Sequence, residues 1–487
     1  MIRRAFFPAV LALLASLGGW AGLADTRGGA GGSPPPAEPS FAEVERLIAD
    51  QQFQRAADVL VELRRRAGAA GDEDAATRAL VEEVRVRLAL GRFEATVELL
   101  RAEPWPEAPG RRAAVGLLYA YTLEAYHDRY SWEIARRERV GEDLPADLAQ
   151  WTREQVFAEA MRGALVAWER RAALGATGIA ALGPVVEAGN YPAAVRGTAR
   201  DAITYLLVEL LADTGFWSPG EENGVYRLDL ERLLGSRGAA PLESAAVASS
   251  AEHPLARLAA ALVDLEAWHA GARRPGAQFE ARLELLRRLQ ASFTASADRR
   301  TLRQDLERRL DGFRADSWWA MGQATLAELV RARDTDDGPA SLARAREIAL
   351  AGRSAYPESP GGQKCAAIVA EIEEPELRLT VMASDGAARR SLEVEARNLA
   401  RLHLRAYRFD LERRLLVERE RTPWPEPDEV ERLLRRPPAA EWSVDLPATP
   451  DYREHRTYVT PPLATPGAYV IVASSRPDFA RASTPRP

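Results

Sequence analysis

The sequence contains very little cysteine or lysine. Cys365 is the single cysteine of the 487 residues, and Lys364 is the single lysine among 65 basic residues, so arginine carries almost all of the positive charge. One cysteine excludes an intrachain disulfide framework, and the fold must therefore be stabilised by packing. The arginines are dispersed and interleaved with glutamates, which indicates a coding bias on solvated helix faces rather than anion recognition by guanidinium groups.

Basic tracts and familiar catalytic motifs are also absent from the sequence. The formal net charge is -6 and the cations are not clustered, so nucleic acid is not an expected partner. The sequence has no phosphate loop, dinucleotide fingerprint or GxSxG elbow, and small-molecule cofactors have no support. We therefore expect a protein that is not an enzyme, has no catalytic, cofactor-binding or metal-binding residue, and has proteins as its partners.

Metal-binding patterns are missing as well. The five histidines contain no pair at i, i+4 and no HExxH motif, which favours scattered surface or edge positions. These histidines are His127, His253, His269, His403 and His455. An acidic stretch at 332–341, ARDTDDGPAS, is similar to a calcium loop, but its glycine comes one place early and Ala345 stands where the bidentate glutamate is needed. A turn with a helix cap is the favoured interpretation of this stretch.

The first 24 residues have the three parts of a secretory signal peptide. Arg3 and Arg4 precede a short apolar stretch, and small residues lead to a cleavage site after Ala24. An uncleaved membrane anchor is disfavoured because the apolar part is short and interrupted by glycines. We therefore expect an exported bacterial protein, in the periplasm, outside the cell or at the cell surface, with membrane association only through a partner or a further domain.

Residues 25–40 are rich in glycine and proline and predict a flexible linker. From 41 to 372 the apolar spacing is helical. Segments 50–60 and 90–100, DQQFQRAADVL and LGRFEATVELL, align at an offset of 40 residues, and each has a turn and an aromatic residue ahead of a helix. This offset predicts an irregular tetratricopeptide-like helical-repeat domain.

From about residue 373 the apolar period changes from 3.6 to 2. Five alternating segments, with a sixth at HRTYV, predict an antiparallel β-sandwich over 373–480. A helix interrupts it near 412–438, with Asp428 and Glu431 as a predicted capping box. The strand AYVIVAS is apolar on both faces, which is typical of an inner strand. Residues 481–487 have the composition of a tail or a truncated linker.

Five segments carry a resemblance to a known family. They are DRYSWEIARRERV (128–140), GTARDAITYLLVELLADTGFWSP (197–219), VEARNLARLHLRAYRFDLE (394–412), EWSVDLPATPDYREH (441–455) and PGAYVIVASSRPDF (466–479). Together they resemble the large bacterial alpha-2-macroglobulin family, in which a long helical region precedes a string of macroglobulin-like sandwiches. The resemblance implies a multidomain, mainly α chain that ends in a sandwich of the fibronectin-III or macroglobulin type.

The same resemblance implies protease trapping by the full protein. Many members use a thioester between a cysteine and a glutamine three residues on. Here Ile368 stands three residues after Cys365, so the sequence has no thioester and Cys365 is expected to be a small buried thiol. No catalytic or covalent-trapping residue of the family transfers to this chain.

Aromatic residues are the remaining candidates for a binding surface. They could line a peptide groove. Their helical spacing favours core positions between helices instead. The residues in question are Tyr119, Tyr126 and Tyr130, together with their neighbour Leu123, and Trp217, Trp318 and Trp319.

Three hypotheses about function stay open. The first is the N-terminal portion of an exported alpha-2-macroglobulin-like endopeptidase inhibitor, acting as a non-catalytic scaffold or binding region. The second is a free-standing periplasmic helical-repeat scaffold for protein interactions. The third, a cell-wall hydrolase on a helical solenoid, ranks last because no general acid stands out.

Overall fold

A computed structural model describes residues 39–138, 143–175, 177–186, 189–236, 242–332, 338–381, 391–417 and 425–479. The predicted signal peptide, almost all of the predicted linker, the predicted tail and residues 333–337 of the acidic stretch lie outside them. The described chain is mainly helical with antiparallel strands near its C-terminus, which confirms this part of the predicted fold class. It divides into two compact units, Met1–Phe293 and Thr294–Pro487, while the predicted boundary at 372/373 stays a prediction.

The first unit consists of helices and short 3-10 turns. Its α-helices are α1 (Phe41–Ala49), α2 (Phe53–Ala70), α3 (Glu73–Ala89), α4 (Phe93–Ala102), α5 (Pro109–Ile134), α6 (Arg153–Glu169), α7 (Arg171–Leu174), α8 (Ala193–Arg196), α9 (Ala199–Ala212), α10 (Pro219–Gly224), α11 (Leu230–Leu233), α12 (Pro254–Gly271) and α13 (Pro275–Ser292). Local capping fixes several of these starts, since the hydroxyls of Ser40, Thr152, Thr198 and Ser218 each accept a backbone N–H of the first turn.

The predicted 40-residue offset corresponds to a repeated turn. Gln51 and Gly91 both take left-handed backbone conformations, with φ of 58° and 73°. The next residue then donates its N–H to a carbonyl five residues back, from Gln52 to Leu47 at 2.8 Å and from Arg92 to Arg87 at 2.9 Å. This is the Schellman arrangement, which ends one helix and directs the chain into the next. The two turns therefore place α2 and α4 in the same way after their preceding helices.

Helices α5 and α6 approach each other very closely. A Cβ on Gly116 would lie 2.6 Å from the carbonyl oxygen of Gly163, and a Cβ on Gly163 would lie 2.7 Å from the oxygen of Gly116. Only glycine leaves room for such a crossing. The Tyr119 hydroxyl also donates to Glu159 across the pair at 3.0 Å. The two helices are thus held backbone to backbone.

A network of buried charges joins α8 to α13. The Arg196 guanidinium donates to Glu280 at 2.5 Å and to Glu284 at 2.9 Å, and Arg287 binds the same two carboxylates at 3.0 and 2.7 Å. Burial alone would raise the pKa of Glu284, but the surrounding arginines lower it to about 2. Removing one partner from such a network leaves a buried charge uncompensated.

The expectation that arginines occupy solvated helix faces is wrong for part of the set. The side chains of Arg200, Arg257, Arg282 and Arg414 are buried. Each is compensated: Arg200 by Asp264, Arg282 by Glu266, Arg414 by Glu429, and Arg257 by the carbonyl of Val247. Sequence dispersion could not show this because the partners are distant along the chain.

The second unit begins with four helices and ends with strands. The helices are α14 (Ser296–Leu310), α15 (Trp319–Arg331), α16 (Ser341–Ala355) and α17 (Pro360–Glu373). The strands are β1 (Glu376–Val381), β2 (Leu392–Arg397), β3 (Arg401–Arg408), β4 (Ala440–Asp445), β5 (His455–Val459) and β6 (Tyr469–Ser474), with α18 (Pro427–Leu434) between β3 and β4. All six strands fall on the segments that alternation predicts.

The described strands form two three-stranded antiparallel sheets. Their orders are β1-β2-β5 and β4-β3-β6, so β2 and β3 are the central strands. Side chains from both sheets share one hydrophobic core, which includes Val394 of the first sheet and Leu402 and Leu404 of the second. The alternating burial of β2 and β3 follows from one face packing on this core.

Asn398 links the sheets to helix α17. It takes a left-handed conformation, with φ of 55°, at the corner between β2 and β3. Its side-chain amide donates to the carbonyls of Ile372 and Glu374 at 2.8 and 3.2 Å, and its backbone N–H donates to the Thr449 hydroxyl at 2.9 Å. One residue therefore turns the chain between sheets and satisfies carbonyls at the end of a helix.

Two local predictions need correction. The capping box of α18 joins Glu426 and Glu429, not Asp428 and Glu431, because Pro427 occupies the first helical position and the cap must precede it. Strand β6 pairs only with β3 among the described strands, so it is an edge strand rather than an inner one. The Phe479 ring lies 4.2 Å from the guanidinium of Arg405 in β3. Arg405 pairs with Val472 of β6, so the ring covers the face of β6 that points away from the core.

We predict that Gly163→Ala destabilises the protein. The added methyl group would clash with the backbone of α5, and overpacking of this kind costs about 1–3 kcal/mol. Chemical denaturation of the purified variant measures the loss. The matched control is Gly68→Ala in α2, where a Cβ meets no atom within 4 Å and the unfolding free energy should rise by about 0.5–1 kcal/mol. Equal stabilisation by both substitutions would contradict the close crossing.

Candidate functional site

Two depressions adjoin each other on helices α5 and α6. A polar cavity of about 340 Å³ is lined by His127, Asp128, Ser131, Ala135, Arg153 and Gly215. A larger groove of about 640 Å³ runs along α6 and reaches the turn after α9. Volumes in this range suit small groups and peptide side chains. Both depressions lie within the first unit.

The cavity lies beside a kink in α5. Tyr130 leaves helical geometry, with φ of -114° and ψ of 18°, and the chain continues to Ile134 beyond it. The kink falls between Asp128 and Ser131, two of the residues that line the cavity. Local departures from regular helix geometry of this type often mark functional positions.

The turn after α9 supplies the wall between cavity and groove. Asp213 ends the helix and its carboxylate accepts the N–H of Gly215 at 2.8 Å, while the backbone N–H of Phe216 donates to the Asp213 carbonyl at 3.1 Å. Phe216 is thereby buried. Its ring centroid lies 4.1 Å from that of His127, at the cavity, and 5.4 Å from that of Phe157, at the groove.

His127 presents a buried polar atom without a partner at the cavity. Its side chain is only 5% exposed, and its Nδ1 atom has no hydrogen-bond partner among the described residues. The nearest carboxylate oxygen, from Asp128, lies 3.8 Å away. A buried ring nitrogen without a partner is costly, so this atom is available to a ligand that enters the cavity.

Carboxylates surround the same end of α5. Glu124 precedes Asp128 by one helical turn, and burial together with the negative charges of Asp213, Asp128 and Glu209 raises its pKa to about 8. Glu209 is itself paired with Arg288 at 2.5 Å. The Arg153 guanidinium lies 3.2 Å from Glu154. The region around the cavity therefore carries an excess of acidic groups.

The groove is apolar along its floor and acidic at its ends. Phe157, Met161 and Leu165 follow one another at four-residue spacing on a single face of α6. Glu154 and Glu169 flank them, with side chains 61% and 72% exposed. This pattern suits an extended peptide with apolar and basic side chains.

The two arginines that line the groove both make hydrogen bonds to other groups of the protein. Arg162 makes three hydrogen bonds to Glu159, at 2.7 to 3.1 Å. Arg257 is buried and donates to the carbonyl of Val247 at 2.9 Å, and its burial lowers the pKa of its guanidinium. Glu154 and Glu169 are more exposed, although each also pairs with a neighbouring arginine, Arg153 at 3.2 Å and Arg170 at 3.8 Å.

Cys365 lies in α17 of the second unit and lines neither depression. It is buried, its thiol is 3.4 Å from the carbonyl oxygen of Ala320, and burial raises its pKa to about 11. Ile368 lies one turn along the same helix and is also buried. A thiol in this environment is a packing group.

The histidines do not come together, but two of them differ from the expected surface positions. His127 and His269 are buried, and His269 binds the Asp201 carboxylate at 2.7 Å. His253 contacts the Glu221 carbonyl, and His455 contacts Asp451. Among the described residues, no group of three or more His, Cys, Asp or Glu side chains is arranged to hold a metal ion.

The aromatic residues of the sequence analysis are mostly core residues. Tyr119, Tyr126, Trp217, Trp318 and Trp319 are buried, as is Leu123, while Tyr130 is half-buried. The structure instead places Phe157 and Phe216 at the groove. Phe216 immediately precedes Trp217 in the sequence, but only the fold shows which of the two rings faces the groove.

Comparison with known proteins yields no match, whether to a family model, to a curated protein or to a solved structure. The resemblance to the alpha-2-macroglobulin family therefore stays a prediction. None of the helices in the described ranges is both long and apolar enough to cross a membrane.

We predict that the charge of Glu124 destabilises the fold at alkaline pH. The pKa of Glu124 is about 8 in the folded protein, compared with an ordinary value of 4.5 that applies to the unfolded chain. Between pH 4.5 and about pH 8, therefore, only the folded state retains the proton. The free energy of unfolding therefore falls as pH rises across this window. Near pH 4.5 the Glu124→Gln variant should have the same free energy of unfolding as the wild type. At about pH 9 its free energy of unfolding should be higher by on the order of 2 kcal/mol.

Denaturant unfolding at several pH values measures this difference. Glu98→Gln on α4 is the control, because Glu98 is an exposed glutamate outside the site and the substitution removes the same charge. A Glu124→Gln variant whose advantage is independent of pH would refute the prediction.

Proposed function

We propose that this chain is a non-catalytic binding scaffold of an exported protein, and that the groove on α6 holds an extended segment of a partner protein. The observation that carries the proposal is the groove itself, which has a volume of about 640 Å³ and an apolar floor between exposed glutamates. Apolar side chains of the segment would pack on Phe157 and Leu165. Its basic side chains would meet Glu154 and Glu169, which complement them in charge.

The helical region would belong to the tetratricopeptide-like class of irregular repeats. The matching turns at Gln51 and Gly91 support this assignment, since both end one helix with the same hydrogen bonds and start the next at a phenylalanine. Repeats of this type present side chains of successive helices to extended ligands.

We further propose that the two C-terminal sheets form a macroglobulin-like sandwich, and that the full protein is an alpha-2-macroglobulin-like protease inhibitor. The support is the order of a helical region followed by two sheets on one core, together with the five resembling segments. Sequencing beyond the codon for Pro487 tests this proposal. Further sandwich domains in frame would support the inhibitor, whereas a stop codon would favour a free-standing periplasmic scaffold.

We predict that Leu165→Asp weakens peptide binding by the groove. Peptides selected from a random phage-displayed library on the purified protein should combine apolar and basic residues. Their affinity should fall at least about tenfold with Leu165→Asp, because a carboxylate replaces part of the apolar floor. Fluorescence anisotropy of labelled peptides measures the affinity.

The matched control is Leu206→Asp, since Leu206 is a leucine of α9 that is 36% exposed and does not line the groove. Peptides that bind both variants as well as the wild type would overturn the assignment of the groove. Circular dichroism verifies that both variants are folded.

A further inference from the structure

The polar cavity beside the groove contains hydrogen-bond acceptors suited to a primary ammonium group. Asp128 offers a carboxylate that is 62% exposed, Ser131 a hydroxyl, and His127 the Nδ1 atom that lacks a hydrogen-bond partner among the described residues. An ammonium group has three donors and no acceptor. Each of its N–H groups could thus meet one acceptor of the cavity wall.

The charge around the cavity favours a cation. Asp128 lines it, and burial together with the negative charges of Asp213 and Asp128 raises the pKa of Glu124 to about 8, so Glu124 is itself mostly uncharged at neutral pH. Arg153 is the positive lining residue, and its guanidinium already lies 3.2 Å from Glu154. The cation would not be a metal ion, because the described residues contain no suitable group of ligands for one.

The ring of Phe216 forms the boundary between the cavity and the groove. Phe216 lines the groove, and its ring stacks on His127 in the cavity. A segment lying on Phe157 would therefore pass within one side chain of Asp128. The aromatic faces of His127 and Phe216 could cover the methylene groups of a long side chain.

From this geometry we propose that the cavity is a recognition pocket for the lysine side chain of a segment bound in the groove. The ammonium group lies against Asp128, His127 Nδ1 and Ser131, and the aliphatic stem passes Phe216. Arginine fits less well, because its planar fork prefers a bidentate carboxylate, whereas a compact ammonium suits separate acceptors. This inference rests on the proposed function and adds a residue preference to it.

Binding of small probes tests the pocket independently of any peptide. Nα-acetyl-lysine methylamide is titrated into the full protein, and binding is followed by calorimetry and by the NMR shifts of the His127 ring. We expect saturable binding that Asp128→Asn weakens at least about tenfold. Nα-acetyl-norleucine methylamide, which keeps the four side-chain carbons but lacks the ammonium group, should not bind.

Asp58→Asn is the matched control, since Asp58 is an exposed aspartate of α2 outside the cavity and the substitution removes the same charge. The lysine probe should bind this variant as it binds the wild type. Equal binding of the lysine and norleucine probes, or equal loss in the two variants, would overturn the proposal.

A second probe, 1,5-diaminopentane, distinguishes a pocket for a lysine side chain from a pocket for a free polyamine. A lysine pocket should bind the lysine amide at least as well as the diamine. If the diamine binds about tenfold more tightly, the cavity is assigned to a free polyamine and the lysine assignment is overturned.

If groove peptides bind but the lysine probe does not, the pocket proposal fails while the scaffold proposal stands. If the lysine probe binds and no peptide does, the scaffold proposal fails instead.

Discussion

The close crossing of α5 and α6 at Gly116 and Gly163 is the constraint on which the candidate site depends. With no side chain between them, the two backbones lie in contact. Cavity residues of α5, such as His127, and groove residues of α6, such as Phe157, are thereby brought to either side of one ring, that of Phe216. A bulkier residue at the crossing would separate the two walls.

Buried charge is a second organising constraint. Arg196 and Arg287 share the carboxylates of Glu280 and Glu284, and no single member of this group could be removed without leaving a buried charge uncompensated. Desolvation of the charges offsets much of the stability that such pairs add, and the helices must pack so that each charge meets its partners. With a single cysteine in the chain, such pairing helps to specify the helical arrangement where a disulfide cannot.

Much of the fold could be predicted from the sequence, because its evidence is local. Alternation over a few residues located the strands, and the matching turns before Phe53 and Phe93 showed the repeated helix start. The candidate site could not be found in this way. Neither the burial of His127 nor the inward position of Phe216 leaves a trace in residue spacing, since both follow from contacts between helices far apart in the chain.

The capping asparagine at the corner between β2 and β3 has a mechanical consequence. Asn398 holds the carboxyl end of α17 through its side chain and the loop containing Thr449 through its backbone. The last turn of that helix cannot fray without releasing the corner on which the two sheets meet. We therefore expect the amides at the end of α17 and in strands β2 and β3 to become exchangeable together in native-state hydrogen exchange.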